Sequence, residues 1–209
     1  MTARDVEVRQ IRAGEGLRLR ALRLFALADA PTAFGSTLAR EEAFPESVWH
    51  ARAADGALGH DRATFVAERA GEWVGLATGL REDPDGDPGA VLVGMFVAPA
   101  ERGQGAGFAL VEAVAAWARA RGAARLHLWV TATNAPAIAL YHRCRFRQTG
   151  EVRPHGQTPT LHELRMERDL EEPRVERSRT EAVEAPVDSG DRLDRLDRDR
   201  EAEHGDRSG

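Results

Sequence analysis

Between Val91 and Gly122 the chain reads VLVGMFVAPAERGQGAGFALVEAVAAWARARG: an apolar run, a glycine-rich turn and an amphipathic helix with no break between them. A helix start leaves backbone N–H groups unpaired, with the positive end of the helix dipole behind them. Glycines let a bulky anion approach those amides, so a strand, a glycine turn and a helix in this order make a phosphate cradle. Two common phosphate loops do not fit. A dinucleotide fingerprint G-x-G-x-x-G counted from Gly103 meets Phe108 at its third glycine. A nucleoside-triphosphatase loop needs a lysine, and the chain contains none.

The pattern that remains is R-x-x-G-x-G, filled by Arg102, Gly105 and Gly107. It resembles the acyl-CoA pyrophosphate loop of the Gcn5-related N-acetyltransferases (GNAT). Further on, RLHLWVTATNAPAIALYHRCRF (Arg125 to Phe146) resembles the second signature of that family, with Asn134, Tyr141 and Phe146 in the places of its Asn, its helix-borne Tyr and the Phe opening the next strand. More loosely, the resemblance runs from about residue 6 to 169. It implies an α/β (α+β) acyl-CoA N-acyltransferase fold, a mixed and mostly antiparallel central sheet with flanking helices.

Composition agrees with one enzyme-sized domain, since 209 residues are enough for one sizeable core and would crowd two. We expect an N-acetyltransferase domain over 1–170 and a disordered charged tail over 171–209. The tail carries 13 acidic and 8 basic residues and lacks aromatics, so it cannot bury enough apolar surface to offset its ordering entropy. The remaining 21 acidic and 21 basic residues leave the body formally neutral, without the basic excess of a nucleic-acid binder. A single cysteine, Cys144, excludes an internal disulfide and makes no metal site by itself. Met1 to Arg12 is mixed and polar, unlike a signal segment, and no apolar run approaches a membrane span, so a cytoplasmic protein is expected.

Coarse periodicity places the other elements. A first strand begins near Val6, and a helical stripe runs from Leu17 to Ala28 before Pro31. One or two short helices fall in Ser36 to Ala54. Thr64 to Glu68 and Trp73 to Leu80 form a hairpin around Arg69-Ala70-Gly71-Glu72. DPDGDPG (83 to 89) is a turn-rich loop, and Ala90 to Val97 is the strand before the glycine turn. Gln104 to Arg121 is the long helix, closed by Gly122; strands follow at Leu126 to Val130, Phe146 to Val152 and Leu161 to Arg168. Trp73, Trp117 and Trp129 read as core, whereas Trp49 follows a loop that could border a substrate.

The resemblance also implies roles. The strand before the loop would splay from its neighbour, with Phe96 and Val97 offering backbone contacts to the pantetheine of acetyl-CoA, the co-substrate. Arg102, Gly103, Gln104, Gly105, Ala106 and Gly107 would wrap the diphosphate, and Asn134 would bond the pantetheine arm. Tyr141 would be the catalytic acid: a phenol with an ordinary pKa of about 10 holds its proton at neutral pH, near enough to a thiol's roughly 8.5 to pass it to a leaving thiolate. No general base stands out. Val91 to Val97 has no ionisable residue; Glu41, Glu42, Glu82 and Asp83 are candidates, each more readily a solvated surface charge. Where the family has Gly before the Phe, this chain has Arg145, which would cost about 1 kcal/mol if the left-handed turn is kept.

The expected reaction is acetyl transfer to a primary amine by direct attack in a ternary complex. Partners would be a small-molecule amine or a peptide or protein N-terminus; a homodimer is compatible, while nucleic acid and membrane are not expected. Ala30 to Ser36 (APTAFGS) resembles an acceptor-side segment of a branch that includes small-molecule and protein N-terminal acetylators. Two other classes compete: a catalytically idle CoA-binding sensor or interaction module, and an unrelated nucleotide-binding α/β protein.

Overall fold

A computed structural model describes residues 6–86 and 89–170. The charged segment expected to be disordered lies outside the described residues. The elements, in chain order, are β1 (Glu7–Gln10), α1 (Gly16–Asp29), α2 (Leu38–Glu42), α3 (Glu46–Leu58), β2 (Arg62–Arg69), β3 (Glu72–Leu80), β4 (Ala90–Val97), α4 (Ala106–Ala120), β5 (Arg125–Thr131), α5 (Ala135–Arg143), β6 (Arg147–Pro154) and β7 (His162–Asp169). Seven strands form one sheet in the order β1-β2-β3-β4-β5-β7-β6. Every neighbouring pair is antiparallel except β4 with β5. The mixed, mostly antiparallel sheet expected from sequence is therefore present.

Local chemistry explains the strand ends. Between β2 and β3 the turn residues Ala70 (φ 53°) and Gly71 (φ 86°) are both left-handed, the geometry whose twist matches a two-residue hairpin. Pro31 follows α1 after one residue and starts a short 3-10 turn, because the residue before a proline leaves the helical region. Of the one or two short helices expected across Ser36 to Ala54, there are two, and the second runs on to Leu58. Thr37 caps α2 by accepting from Arg40 N, and Pro45 stands at the N-cap of α3.

Two apolar layers sandwich the sheet. On one side α4 packs on β1 to β4 through Leu110, Val111, Val114 and Trp117, joined by Tyr141, Cys144 and Phe146 from the α5 region. On the other, α1 and α3 cover Val66, Leu76 and Phe96 with Leu19, Leu22, Leu27 and Trp49. Leu110 is fully buried, and cutting it to Ala would cost about 2–5 kcal/mol, transfer and cavity together. This layering holds β4 rigidly between two helical covers while one of its edges stays open.

Candidate active site

The opening begins where β4 and β5 part. They pair only at Ala90↔Leu126 and Val91↔His127, so the rest of that β4 edge has no strand beside it. On its other edge β4 pairs with β3, and the register jumps: Leu76 faces Phe96 while Thr78 faces Val93. Ala77 therefore opposes both Gly94 and Met95, a β-bulge. Gly94 has φ +63°, a conformation that a side chain would strain. The bulge also reverses the alternation of faces. Leu92 belongs to the α4 layer, yet Phe96, four residues on, belongs to the α1–α3 layer.

The glycine turn follows directly. Gly103 (φ 78°) and Gly105 (φ 90°) are left-handed, and a Cβ at either would have no protein atom within 4 Å. Gly105 is the N-cap of α4, with no side chain capping it, and the first helical bond is Ala109 N to Gly105 O at 3.0 Å. The N–H groups of Ala106, Gly107 and Phe108 thus precede the first helical bond and have no carbonyl within the helix, the arrangement a diphosphate needs. Gly107 has a different reason: a Cβ there would lie 3.0 Å from Leu140 and 3.3 Å from Met95, so glycine lets α4 sit close to β4 and α5. Arg102 is half-exposed; its Nε donates to Val97 O at 2.9 Å and its Nη2 pairs with Asp29. Gln104 donates to Ala100 O, which stiffens the turn.

Across the gap, α5 carries the other expected residues. Asn134 is its N-cap, with Oδ1 accepting from Ala137 N at 3.2 Å, so half of that side chain already serves the helix. Tyr141 is buried, 6% exposed, and lines the cavity described below. Burial, with a smaller push from Cys144, raises its pKa above the ordinary phenol value, so it holds its proton at any physiological pH. Arg145 does adopt the left-handed turn, at φ +67°. Cys144 is buried, and burial first, then Glu112, pushes its thiol up to about 11, which makes it inert.

A cavity of about 790 Å³ opens on the α1–α3 side of the sheet, from Val91–Met95 and Tyr141 outward. Here the structure corrects several expectations. Glu41 is not a solvated charge: it is 2% exposed and accepts from Arg23 and Arg52. Burial pushes its pKa upward, but the Arg23 hydrogen bonds, with Ser36 and Arg52, outweigh this and hold it below the usual carboxylate range. Asp83 is not solvated either: at 8% exposure its Oδ2 lies 2.7 Å from Nε2 of the fully buried His127. Glu42 and Glu82 are exposed, as expected. Trp129 is not purely core, since it lines the cavity with Arg153 stacked 4.1 Å above its ring. Trp49 lines it too, fully buried.

Sequence reasoning missed His127, Arg23 and Arg52. A histidine at an inward position of RLHLWV was the one legible hint. Arg23 shares α1 with Arg18 and Arg20, Arg52 is the lone arginine of α3, and only Glu41 sets the two apart.

Comparisons with known proteins agree with this geometry. A streptothricin acetyltransferase from Streptomyces lavendulae is 50% identical over 54 residues, covering 26% of this chain; the match spans 29% of that enzyme's length. A ribosomal-protein-alanine N-acetyltransferase from Brucella melitensis superposes with TM-score 0.65 at 24% identity, covering 78% of this chain and 99% of its own. The yncA protein of Salmonella typhimurium, solved with its cofactor acetyl-CoA, superposes with TM-score 0.65 at 18% identity over 81% of this chain and 96% of its own. These structures share the fold of this chain. The family model for the Acetyltransferase (GNAT) family matches residues 25–146, more than half of the sequence and the stretch that holds the open strand edge, the glycine turn and Tyr141; the chain belongs to that family.

Proposed function

We propose that this protein transfers an acetyl group from acetyl-CoA to a primary amine by direct attack in a ternary complex. One observation carries the reading: the unpaired edge of β4 runs between a helix N-terminus that no side chain caps and the buried phenol of Tyr141, and opens into a cavity. A diphosphate fits at Arg102 to Gly107, where the left-handed glycines leave the space a side chain would fill. The pantetheine would lie along β4 at Phe96 and Val97 with Asn134 beside it. The thioester would then reach the Gly94–Met95 bulge, where a backbone amide would polarise its carbonyl.

The amine nitrogen attacks the carbonyl carbon, the C–S bond breaks, and the sulfur takes the Tyr141 proton. Burial keeps that proton on the phenol until a thiolate develops beside it. The amine's own proton passes to a cavity carboxylate or to water. Of the four candidates, Asp83 is the one that lines the cavity without being held between two guanidinium groups, and His127 steadies it. The buried Tyr141 phenol lining the cavity argues against the idle-sensor reading.

Among the described residues no helix is long and apolar enough to cross a membrane. The acceptor is a primary amine, a small molecule or a peptide N-terminus, and streptothricin is one to try. Thiol release from acetyl-CoA across amine classes, with the product identified by mass, tests the reading. CoA binding with no thiol release from any amine would replace it with the sensor, and binding of a dinucleotide in place of CoA with the other class.

A further inference from the structure

The cavity has two unlike walls. On the helical wall Glu41 holds Arg23 side-on: Arg23 Nη2 donates to Oε1 at 2.8 Å and Nε lies 3.2 Å from Oε2. Phe34 supports the same guanidinium, 4.5 Å from its ring centroid. Arg52 gives Nη1 to Glu41 at 3.0 Å and is stacked on Phe44 and Trp49, 5.0 Å from each ring. Two arginines against one carboxylate leave this wall with one net positive charge.

Two donors on it have no acceptor among the described residues. Arg23 Nη1, turned away from Glu41, lies 3.9 Å from where a Cβ on Gly94 would stand, and so beside the bulge. The indole N–H of Trp49 is fully buried and unpartnered. A buried donor left unpaired costs about 1–3 kcal/mol, so the Trp49 N–H calls for an acceptor from outside the protein, and the partly exposed Arg23 Nη1 is free to share it. A net positive wall favours that acceptor being an anion.

The facing wall is opposite in character. Asp83, Asp85 and Glu163 stand against Arg62 and Arg153, and Arg153 bridges Asp85 and Glu163 at 2.7 and 2.8 Å. Three carboxylates against two arginines leave one net negative charge, suited to an ammonium group. Because Arg23 Nη1 stands beside the bulge where the amine would attack, an acceptor held there carries its anion close to its amine.

We propose that the acceptor is an amine bearing its own carboxylate, as an α- or β-amino acid does, with the carboxylate bound by Arg23 Nη1 and Trp49 Nε1. The proposal rests on the acetyl-transfer reading and narrows its substrate. Arg23 would be a specificity residue.

The test uses matched acceptors with the full-length protein and acetyl-CoA: phenylalanine, phenylalaninamide and phenethylamine, then leucine, leucinamide and isopentylamine. Thiol release gives kcat/KM, corrected to the free-base amine. The acid should exceed its amide by about tenfold or more, the usual contribution of a hydrogen bond to a charged group. In the double variant Arg23→Gln, Glu41→Gln, which removes the Nη1 donor and leaves the partly exposed Arg52 as the charge on this wall, the acid-to-amide ratio should fall several-fold. Trp49→Phe, which removes only the N–H, should lower the ratio several-fold and keeps the test open if the double variant does not fold. Were Arg23 a donor to the reacting carbonyl instead, all three acceptors would lose rate alike and the ratio would stand, which overturns the proposal. An acid-to-amide ratio of one or less in the parent also overturns it. If no amine releases thiol, the acetyl-transfer reading fails by itself. Calorimetry of phenylalanine against phenylalaninamide in the presence of CoA then still decides the pocket, equal affinity being the contrary result.

Discussion

Tyr141 and Phe146 are joined twice: Phe146 N donates to Tyr141 O at 3.0 Å, and their rings pack 5.9 Å apart. Together with Arg145 N to His142 O at 2.9 Å, these contacts make the six-to-one and five-to-two bonds of a Schellman helix end, with its usual apolar clasp. The clasp fixes the Tyr141 ring, and the residue that must be left-handed for it to form is Arg145. Arg145→Gly should therefore stabilise the protein by about 1 kcal/mol. Calorimetry should show a rise in Tm of about 2–4 °C; no change would mean that the arginine side chain repays its backbone cost elsewhere.

Tyr141→Phe keeps the clasp and removes the hydroxyl. Acetyl-CoA affinity should stay within a few-fold while turnover falls by about 10²–10⁴, the usual contribution of a positioned acid or base. Acyl donors with more acidic leaving thiols should lose less. Turnover at the parent rate would make Tyr141 a packing residue.

In the glycine turn, Gly105→Val should abolish most CoA binding, because its side chain would enter the space kept clear above the α4 N-terminus. The left-handed backbone makes the variant less stable as well, by about 1–2 kcal/mol. Gly150→Ala, at φ +91° and away from the turn, serves as the control: it should carry similar strain and normal affinity by calorimetry. Arg102→Ala should weaken binding more at low salt than at high salt, since a half-exposed guanidinium acts largely through screened Coulomb attraction.

Acid should unpick the β1 edge. Arg9 ties Glu15 at 2.6 Å and Glu68 at 2.8 Å, and its hydrogen bonds hold both carboxyls below their ordinary range. A carboxyl whose folded pKa is depressed contributes stability above its unfolded value, about 4.3, and loses it as the pH falls through the folded one. Arg9→Gln should cost about 1–2 kcal/mol at neutral pH. Tm measured against pH should show that gap closing below about pH 4; a gap that persists in acid would assign Arg9 a packing role instead.

Much of this architecture was legible because it is local. The sequence bounds of the strand, Ala90 to Val97, match β4 to the residue, since an apolar run bounded by turn chemistry has few alternatives, and glycines mark the turn before α4. What escaped depends on residues far apart in sequence. Asp83 sits in DPDGDPG, a string that looks solvated, and only His127, on a different strand, draws it inside. Glu41 is likewise buried by Arg23 and Arg52 from two other helices. The bulge was invisible as well, because Gly94 and Met95 inside an apolar run carry no sign that the alternation reverses there.

The proposed boundary of the domain can be sharpened. Leu170 is fully buried, donates its N–H to Ala124 O, and accepts from Arg119 Nε at 2.7 Å. A chain ending just after Leu170 should keep its Tm and its thiol-release rate, because the charged composition beyond it offers no apolar face. One ending before Leu170 should melt several degrees lower.

The parting of β4 from β5 after two rungs sets sturdiness against purpose. Every further rung between these strands would satisfy bare backbone groups and make a tougher sheet. It would also close the slot proposed to take the thioester. A bound ligand that takes those groups acts as a temporary eighth strand, and at a hundred times its Kd it would return about 2.7 kcal/mol to the fold. Variants selected for heat resistance alone would be expected to drift toward zipping this seam, trading the proposed activity for a more durable scaffold.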